Sequence, residues 1–148
     1  MISTTNINQL LKEIQKQKKD KQSIIVQAQS PEFNRKIFEN PNIDVITDLE
    51  FHSRKDYTKQ RDSGLNEILC KLATRNKIKI AINLDKIKKL EKKQKAIILS
   101  RTIQNIKLCK RTKTQMIIFP KNKYTKQERT SFFLSLKAST QQAKQSEK

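Results

Sequence analysis

One glycine and one histidine occur in 148 residues, with two cysteines, three prolines and no tryptophan. A single glycine, Gly64, cannot build a glycine-rich phosphate loop, which removes the P-loop and the dinucleotide fingerprint. A metal-dependent hydrolase needs several His, Cys or carboxylate ligands converging on its ions. His52 alone on a polar loop reads as a surface residue. The two cysteines, Cys70 and Cys109, fall in predicted helices and read as buried reduced thiols, because a disulfide would need an oxidising compartment. No apolar run approaches the roughly 20 residues of a membrane span. The first residues, MISTTNINQLLKEIQ, lack the apolar core of a signal peptide. A cytoplasmic chain with no membrane partner is therefore expected.

Acidic residues are also scarce: 14 Asp and Glu against 33 Lys and Arg, a net charge of +19. Self-repulsion on that scale opposes compaction and favours a polyanionic partner. An anionic membrane is the weaker candidate, since no helix combines a lysine face with a bulky aromatic face. Nucleic acid is the stronger one. The length suits one domain with a real core, although only 34 % of residues are apolar.

The densest structural signal runs from Arg61 to Leu84, RDSGLNEILCKLATRNKIKIAINL. Asp62 and Ser63 are good helix caps, since a short side-chain oxygen can accept from a free amide of the first turn. Leu65, Ile68, Leu69, Leu72 and Ala73 then form one apolar helical stripe, and Asn76 stops it. Ile78, Ile80, Ile82 and Leu84 follow at strand spacing. Upstream, Asn6 caps a helix with the stripe Ile7, Leu10, Leu11 and Ile14. Residues 23–28 are a strand candidate. Ser30-Pro31 opens a helix burying Phe33, Ile37 and Phe38, and Asn40-Pro41 closes it. Residues 43–47 form a second strand, and 48–60 a long polar connection. Downstream, the very basic stretch 85–95 leads into a long amphipathic helix through Cys109. Residues 115–119 make a fourth strand stopped by Pro120. Thr125 and Glu128 make a capping box for a helix burying Phe132, Phe133 and Leu136. Residues 139–148 read as a polar disordered tail after a domain spanning 1–138. Regular alternation of helix and short strand implies an α/β fold of parallel βα units. An open doubly wound sheet and part of a (β/α) barrel both satisfy the pattern.

Candidate chemistry is thin. Asp44, Asp48, Asp62 and Asp85 lie at predicted strand or loop ends, where α/β active sites gather, but a capping role explains Asp62 without catalysis. The basic surface is the stronger signal. Arg54, Lys55, Lys59 and Arg61 crowd the loop before the Gly64 helix, and Lys121, Lys123 and Lys126 come after the last strand. Such groups bind phosphates with salt-dependent, largely sequence-independent affinity, and arginine adds bidentate geometry. Any single lysine among so many reads as a solvated residue; the loop arginines and the total charge read as nucleic-acid binding. Tyr57 and Tyr124, both in basic loops, are the only stacking candidates.

Several segments, taken in order, carry a family resemblance: SIIVQAQ, FNRKIFENPNIDVIT, the basic loop, RDSGLNEILCKLATRNKIKIAINLDKI, SRTIQNIKLCKRTKTQMII and KNKYTKQERTSFFLSL. Together they resemble ribonuclease P protein component 3, from about Asn8 to Leu136. The resemblance implies a fold like the polymerase-and-histidinol-phosphatase (PHP) barrel, in a partial or reduced form. It implies a protein subunit of ribonuclease P, the RNA enzyme that removes the 5′ leader from precursor tRNA. In that family the RNA with bound Mg²⁺ carries the chemistry, so no cofactor is expected on this chain and no catalytic or metal-binding residue is assigned. The implied partners are ribonuclease P RNA, precursor tRNA, component 2 and the other protein subunits. Arg35, Arg54, Arg61, Asp62, Ser63 and Asn66 match the family pattern, and with Lys55, Lys59, Lys121 and Lys123 they are the expected RNA- or partner-binding residues. The family's opening barrel section reads as absent before Asn6, and its closing section as replaced by the polar tail. A stand-alone basic RNA-binding protein derived from the same fold is the second reading. A PHP-type phosphoesterase is the third, and it lacks the ligand set.

Overall fold

The computed structural model describes residues 1–146. Four short strands form its sheet: β1 (Ile25–Gln27), β2 (Val45–Thr47), β3 (Lys79–Asn83) and β4 (Met116–Phe119). Each strand pairs in parallel with the next one along the chain, so the order is β1-β2-β3-β4. A doubly wound sheet reverses its strand order at a switch point; an unbroken parallel succession is the wall of a barrel. This settles a choice that periodicity alone leaves open.

The wall extends one position further at the N-terminal side. Ile2 makes a parallel bridge to Val26, donating to the Ile25 carbonyl at 2.7 Å and accepting from the Gln27 amide at 2.9 Å. An opening strand–helix–strand section is expected to be absent before Asn6; Ile2 adds a single bridged residue at this edge of the sheet. One bridged residue leaves no alternation to detect.

Helices join the strands: α1 (Ile7–Lys19), α2 (Pro31–Glu39), α3 (Glu67–Asn76), α4 (Leu84–Lys88) and α5 (Lys92–Thr112), followed after β4 by a 3₁₀ turn (Lys121–Lys123), α6 (Lys126–Ser135) and α7 (Thr140–Gln145). The local caps explain several starts. Asn6 accepts from the Asn8 and Gln9 amides, Ser30 from the Phe33 amide, and Thr125 with Glu128 closes a reciprocal capping box. In register, Val26, Ile46, Ile80 and Met116 share one sheet face with Ile82 and Ile118, and all six are buried. On the opposite face Val45, Thr47 and Ala81 are buried, while Ile25, Gln27, Lys79, Asn83, Ile117 and Phe119 are half-buried. Two stripes differ from expectation. Leu11 on α1 and Ile68 on α3 are exposed, whereas Ala73 and Cys70 on α3 are buried as expected. Both cysteines are free and buried.

The tail is also corrected as far as it is described. Ser139 and Gln142 form a second capping box, and α7 buries Ala143 and Gln142. The Gln142 amide donates to the Ile106 carbonyl at 2.9 Å, which ties α7 to α5. A capped helix of six residues with one buried alanine has too little apolar periodicity to stand out in a polar sequence. Residues 147–148, also part of the expected disordered tail, lie outside the described residues.

With so little glycine available, lysine occupies the left-handed position after four helices, at Lys21, Lys77, Lys113 and Lys137. Lys77 after α3 and Lys113 after α5 have φ of 59° and 58°. A side chain there crowds the following carbonyl, at a cost of about 1 kcal/mol. Lys77→Gly and Lys113→Gly are each expected to stabilise the fold by about 0.5–1 kcal/mol, because relief of that strain exceeds the added freedom of the unfolded chain. Urea midpoints of the two variants check this.

Candidate nucleic-acid interface

The chain turns sharply as it leaves β2. Asp48 adopts φ of 65°, and Asp48, Leu49 and Glu50 are all buried, so the connection expected to be polar throughout begins inside the core. Asp48 is neutralised in place. Its carboxylate accepts from Gln27 Nε2 at 2.9 Å, from Lys86 Nζ at 3.0 Å and from the Thr47 hydroxyl. The Lys86 ammonium also lies 4.2 Å from the centre of the Phe51 ring, within cation–π range.

Glu50 has less support. One of its carboxylate oxygens is buried with no hydrogen-bond partner. Burial pushes its carboxyl up to about 7, with Asp48 adding repulsion and Lys86 and Arg101 opposing the rise. A raised pKa means the folded state holds the proton more tightly than the unfolded chain. The stabilisation is complete below about 4.5, the unfolded value, and is lost as pH climbs through about 7. At roughly 1.4 kcal/mol per unit the swing is on the order of 3 kcal/mol. Glu50→Gln is expected to raise the melting temperature at pH 8 and to change it little at pH 4.5. Thermal unfolding followed at both pH values checks this.

Arg101 organises the rest of the loop. It projects from the middle of α5, is 4 % exposed, and reaches back across the connection. Its guanidinium donates to the carbonyls of Glu50 and His52 at 3.0 Å each, to that of Arg54 at 2.8 Å, and through Nε to the Asp56 carboxylate at 3.0 Å. A fork of fixed N–H directions suits this task, as an ammonium would not. Three alternate carbonyls held by one cation fix the loop in an extended path over α5.

Two carboxylates continue the framework. Asp56 also accepts from the Arg61 guanidinium at 3.1 Å and from the Asp62 amide at 2.9 Å. Burial works against its charge, but the Asp62 amide and Arg101 outweigh it and hold the Asp56 carboxyl low. Asp62 accepts from Arg54 through both its oxygens, at 2.7 and 3.2 Å, and Arg54 holds its carboxyl below the usual range. His52 donates from Nε2 to the Asp62 carbonyl at 2.8 Å, which leaves Nδ1 buried and unpartnered. Burial, then the cations of Arg54 and Arg101, lower its pKa and keep the imidazole neutral. The single histidine is therefore a half-buried strut, and the surface role expected for it is corrected.

Gly64 closes the loop. Its φ is 76°, and a Cβ there would stand 2.2 Å from the Leu49 carbonyl oxygen. The Gly64 amide donates to Asp62 at 3.3 Å, and the Ser63 carbonyl accepts from Asn105 on α5 at 3.1 Å. α3 starts only after this turn. Its cap is Asn66, which accepts from the Leu69 amide at 2.8 Å. The caps expected at Asp62 and Ser63 are corrected: Asp62 is taken by Arg54, and Ser63 is buried with its hydroxyl unpartnered.

The expected site residues divide into groups. Arg54, Arg61, Asp62, Ser63 and Asn66 line one cleft of about 310 Å³ between the start of α2 and this loop. Lys55 lines a neighbouring cleft of about 600 Å³ with Phe51, Lys86 and Arg101. Lys59 lines a third, of about 460 Å³, with Tyr57, Arg61 and Lys107. Arg35 stands elsewhere, exposed on α2 and paired with Glu39 at 3.1 Å. Lys121 and Lys123 lie on the 3₁₀ turn after β4; Lys123 pairs with Asp85 at 2.8 Å. Tyr124 is buried and donates its hydroxyl to Asp85, so only Tyr57 remains open for stacking. Arg101 is the loop-positioning residue that sequence reasoning misses, since a basic residue in a basic helix looks solvated. Among the described residues no group of three or more His, Cys, Asp or Glu side chains is placed to hold a metal ion. No helix among them is long and apolar enough to cross a membrane.

Comparison with known proteins agrees with the resemblance seen in the sequence. No protein-family model matches the chain. Ribonuclease P protein component 3 from two strains of Methanococcus maripaludis is 26 % and 27 % identical over 117 residues, 79 % of this chain. The same component from Methanococcus vannielii is 26 % identical over 117 residues. The chain spans about half the length of these curated relatives, 47 % and 48 % respectively. A chain in the cryo-EM structure of archaeal ribonuclease P with mature tRNA superposes with a TM-score of 0.79 at 20 % identity, covering 97 % of this chain and 61 % of that one. The fold is thus that of a partial parallel α/β barrel.

Proposed function

We propose that this chain is a protein subunit of ribonuclease P that supports RNA-catalysed, Mg²⁺-dependent removal of the 5′ leader from precursor tRNA. The observation that carries the reading is the 117-residue similarity to ribonuclease P protein component 3, which spans a chain of net charge +19. The chain works without catalytic groups of its own. The Arg101-pinned loop presents Arg54, Arg61, Lys55 and Lys59 toward RNA or a protein neighbour, with Arg35, Lys121 and Lys123 adding phosphate contacts elsewhere. Neutralised phosphates let the RNA fold closely and hold its Mg²⁺. Its partners are ribonuclease P RNA, precursor tRNA, component 2 and the other protein subunits, and its location is the cytoplasm.

The test is assembly. Mixed with ribonuclease P RNA and component 2, the chain is expected to enter one stable particle that excludes unrelated RNA of equal length at physiological salt. Association that is equal for any RNA and indifferent to component 2 would replace this reading with that of a general RNA-binding protein.

A further inference from the structure

We propose that the loop from Tyr57 to Arg61 is a binding site for an unpaired RNA nucleotide, its base stacked on Tyr57 and its phosphates held by Lys59, Arg61 and Lys107. The inference rests on the reading of this loop as RNA-facing and goes further by naming the class of RNA it takes.

Tyr57 is 63 % exposed, although an aromatic ring in a folded chain usually finds cover. It is not on a loose tip. The residue before it, Asp56, is held by Arg101, Arg61 and the Asp62 amide, and the Arg54 carbonyl two positions further back is held by Arg101. A ring carried on a fixed backbone binds with little ordering cost. Two clefts of about 310 and 460 Å³ share Tyr57, Gln60, Arg61 and Gln104 in their walls, and both lie within the roughly 300–1,000 Å³ typical of small-ligand sites. The chemistry divides as a nucleotide requires. The phenol ring offers a face for any base. The amides of Gln60 and Gln104 each offer donors and an acceptor to a base edge. Lys59, Arg61 and Lys107 are exposed cations at the rim of the larger cleft. Ser63 lines the smaller one, its hydroxyl buried and unpartnered. Bases within an RNA duplex present no free face, so this arrangement selects loops, bulges and single strands.

The test uses the whole chain, a labelled oligouridylate and an RNA duplex with the same number of phosphates, at one salt concentration. Tyr57→Ala is expected to weaken oligouridylate binding about tenfold while leaving duplex binding and the melting temperature unchanged. Tyr57→Phe, which keeps the ring, is expected to bind as the wild type. Lys59→Ala is expected to weaken both RNAs and to reduce the salt slope by about one. If Tyr57→Ala binds both RNAs as the wild type does while Lys59→Ala still weakens them, the nucleotide site is refuted and the RNA-facing loop stands. If the wild type binds neither RNA, both fail together.

Discussion

Arg101→Ala is expected to release the loop between Glu50 and Asp62 while the parallel sheet stays folded. The guanidinium donates to three loop carbonyls and to Asp56. It is 4 % exposed, so water cannot take its place without opening the structure. Removing one partner of a buried ion pair costs about 3–5 kcal/mol, mainly because the other partner is stranded. Here Asp56 keeps Arg61 and the Asp62 amide, so the lower end of that range is expected for global stability. The local effect is larger. Trypsin should cut at Arg54, Lys55, Lys59 and Arg61 far faster in the variant, and amide exchange through the loop should approach the rate of an unfolded chain. Arg101→Lys keeps the charge but loses the fork, so it should rescue stability only in part and the loop hardly at all. RNA affinity should fall in both variants although Arg54, Lys55, Lys59 and Arg61 are all still present. Unchanged proteolysis in Arg101→Ala would show that the loop is held by something else.

Gly64→Ala is expected to be the most damaging single-methyl change in the chain. The left-handed φ of 76° already disfavours any side chain, and the new Cβ would meet the Leu49 carbonyl carbon at 2.9 Å and its oxygen at 2.2 Å. Both are backbone atoms of a residue buried at the end of β2, so neither can swing aside. Strain at such a position costs about 1–3 kcal/mol, and forced overpacking adds about as much again. The expected destabilisation is on the order of 2–6 kcal/mol, read as a fall in the urea midpoint. Ala at exposed Lys59 serves as the control and should leave that midpoint unchanged within about 0.5 kcal/mol. The opposite sign expected for Lys77→Gly and Lys113→Gly makes the contrast sharp: the one glycine sits where backbone meets backbone, whereas the left-handed helix ends make do with lysine.

These positions show which parts of the structure are legible in sequence. Local chemistry is. Asn6, Ser30-Pro31 and the Thr125–Glu128 pair name their helix starts because a cap is satisfied within three residues. The strand run Ile78, Ile80, Ile82 is unmistakable because its alternation is strict. Long-range chemistry is not legible. Arg101 and Asp56 lie 45 residues apart, and nothing in α5 distinguishes Arg101 from the lysines around it. Asp62 looks like a cap because caps are judged locally; Arg54 claims it instead, and Asn66 takes the role. Ile68 has the right spacing for the predicted stripe, but the buried face of α3 is centred on Cys70 and Ala73, which points Ile68 to solvent. The RDSGLN turn stands out as a segment, whereas the reason for its glycine, the approach of Leu49, belongs to the fold.

In the proposed function this chain serves ribonuclease P by way of a loop pinned by one buried arginine. The most direct measurement is the Mg²⁺ dependence of precursor-tRNA cleavage by ribonuclease P RNA with component 2, without the chain, with it, and with Arg101→Lys. The wild-type chain is expected to lower the Mg²⁺ required for half-maximal cleavage, and Arg101→Lys, still folded, to recover little of that gain. A cleavage curve that the wild-type chain does not move, or that Arg101→Lys moves equally well, would contradict the claim.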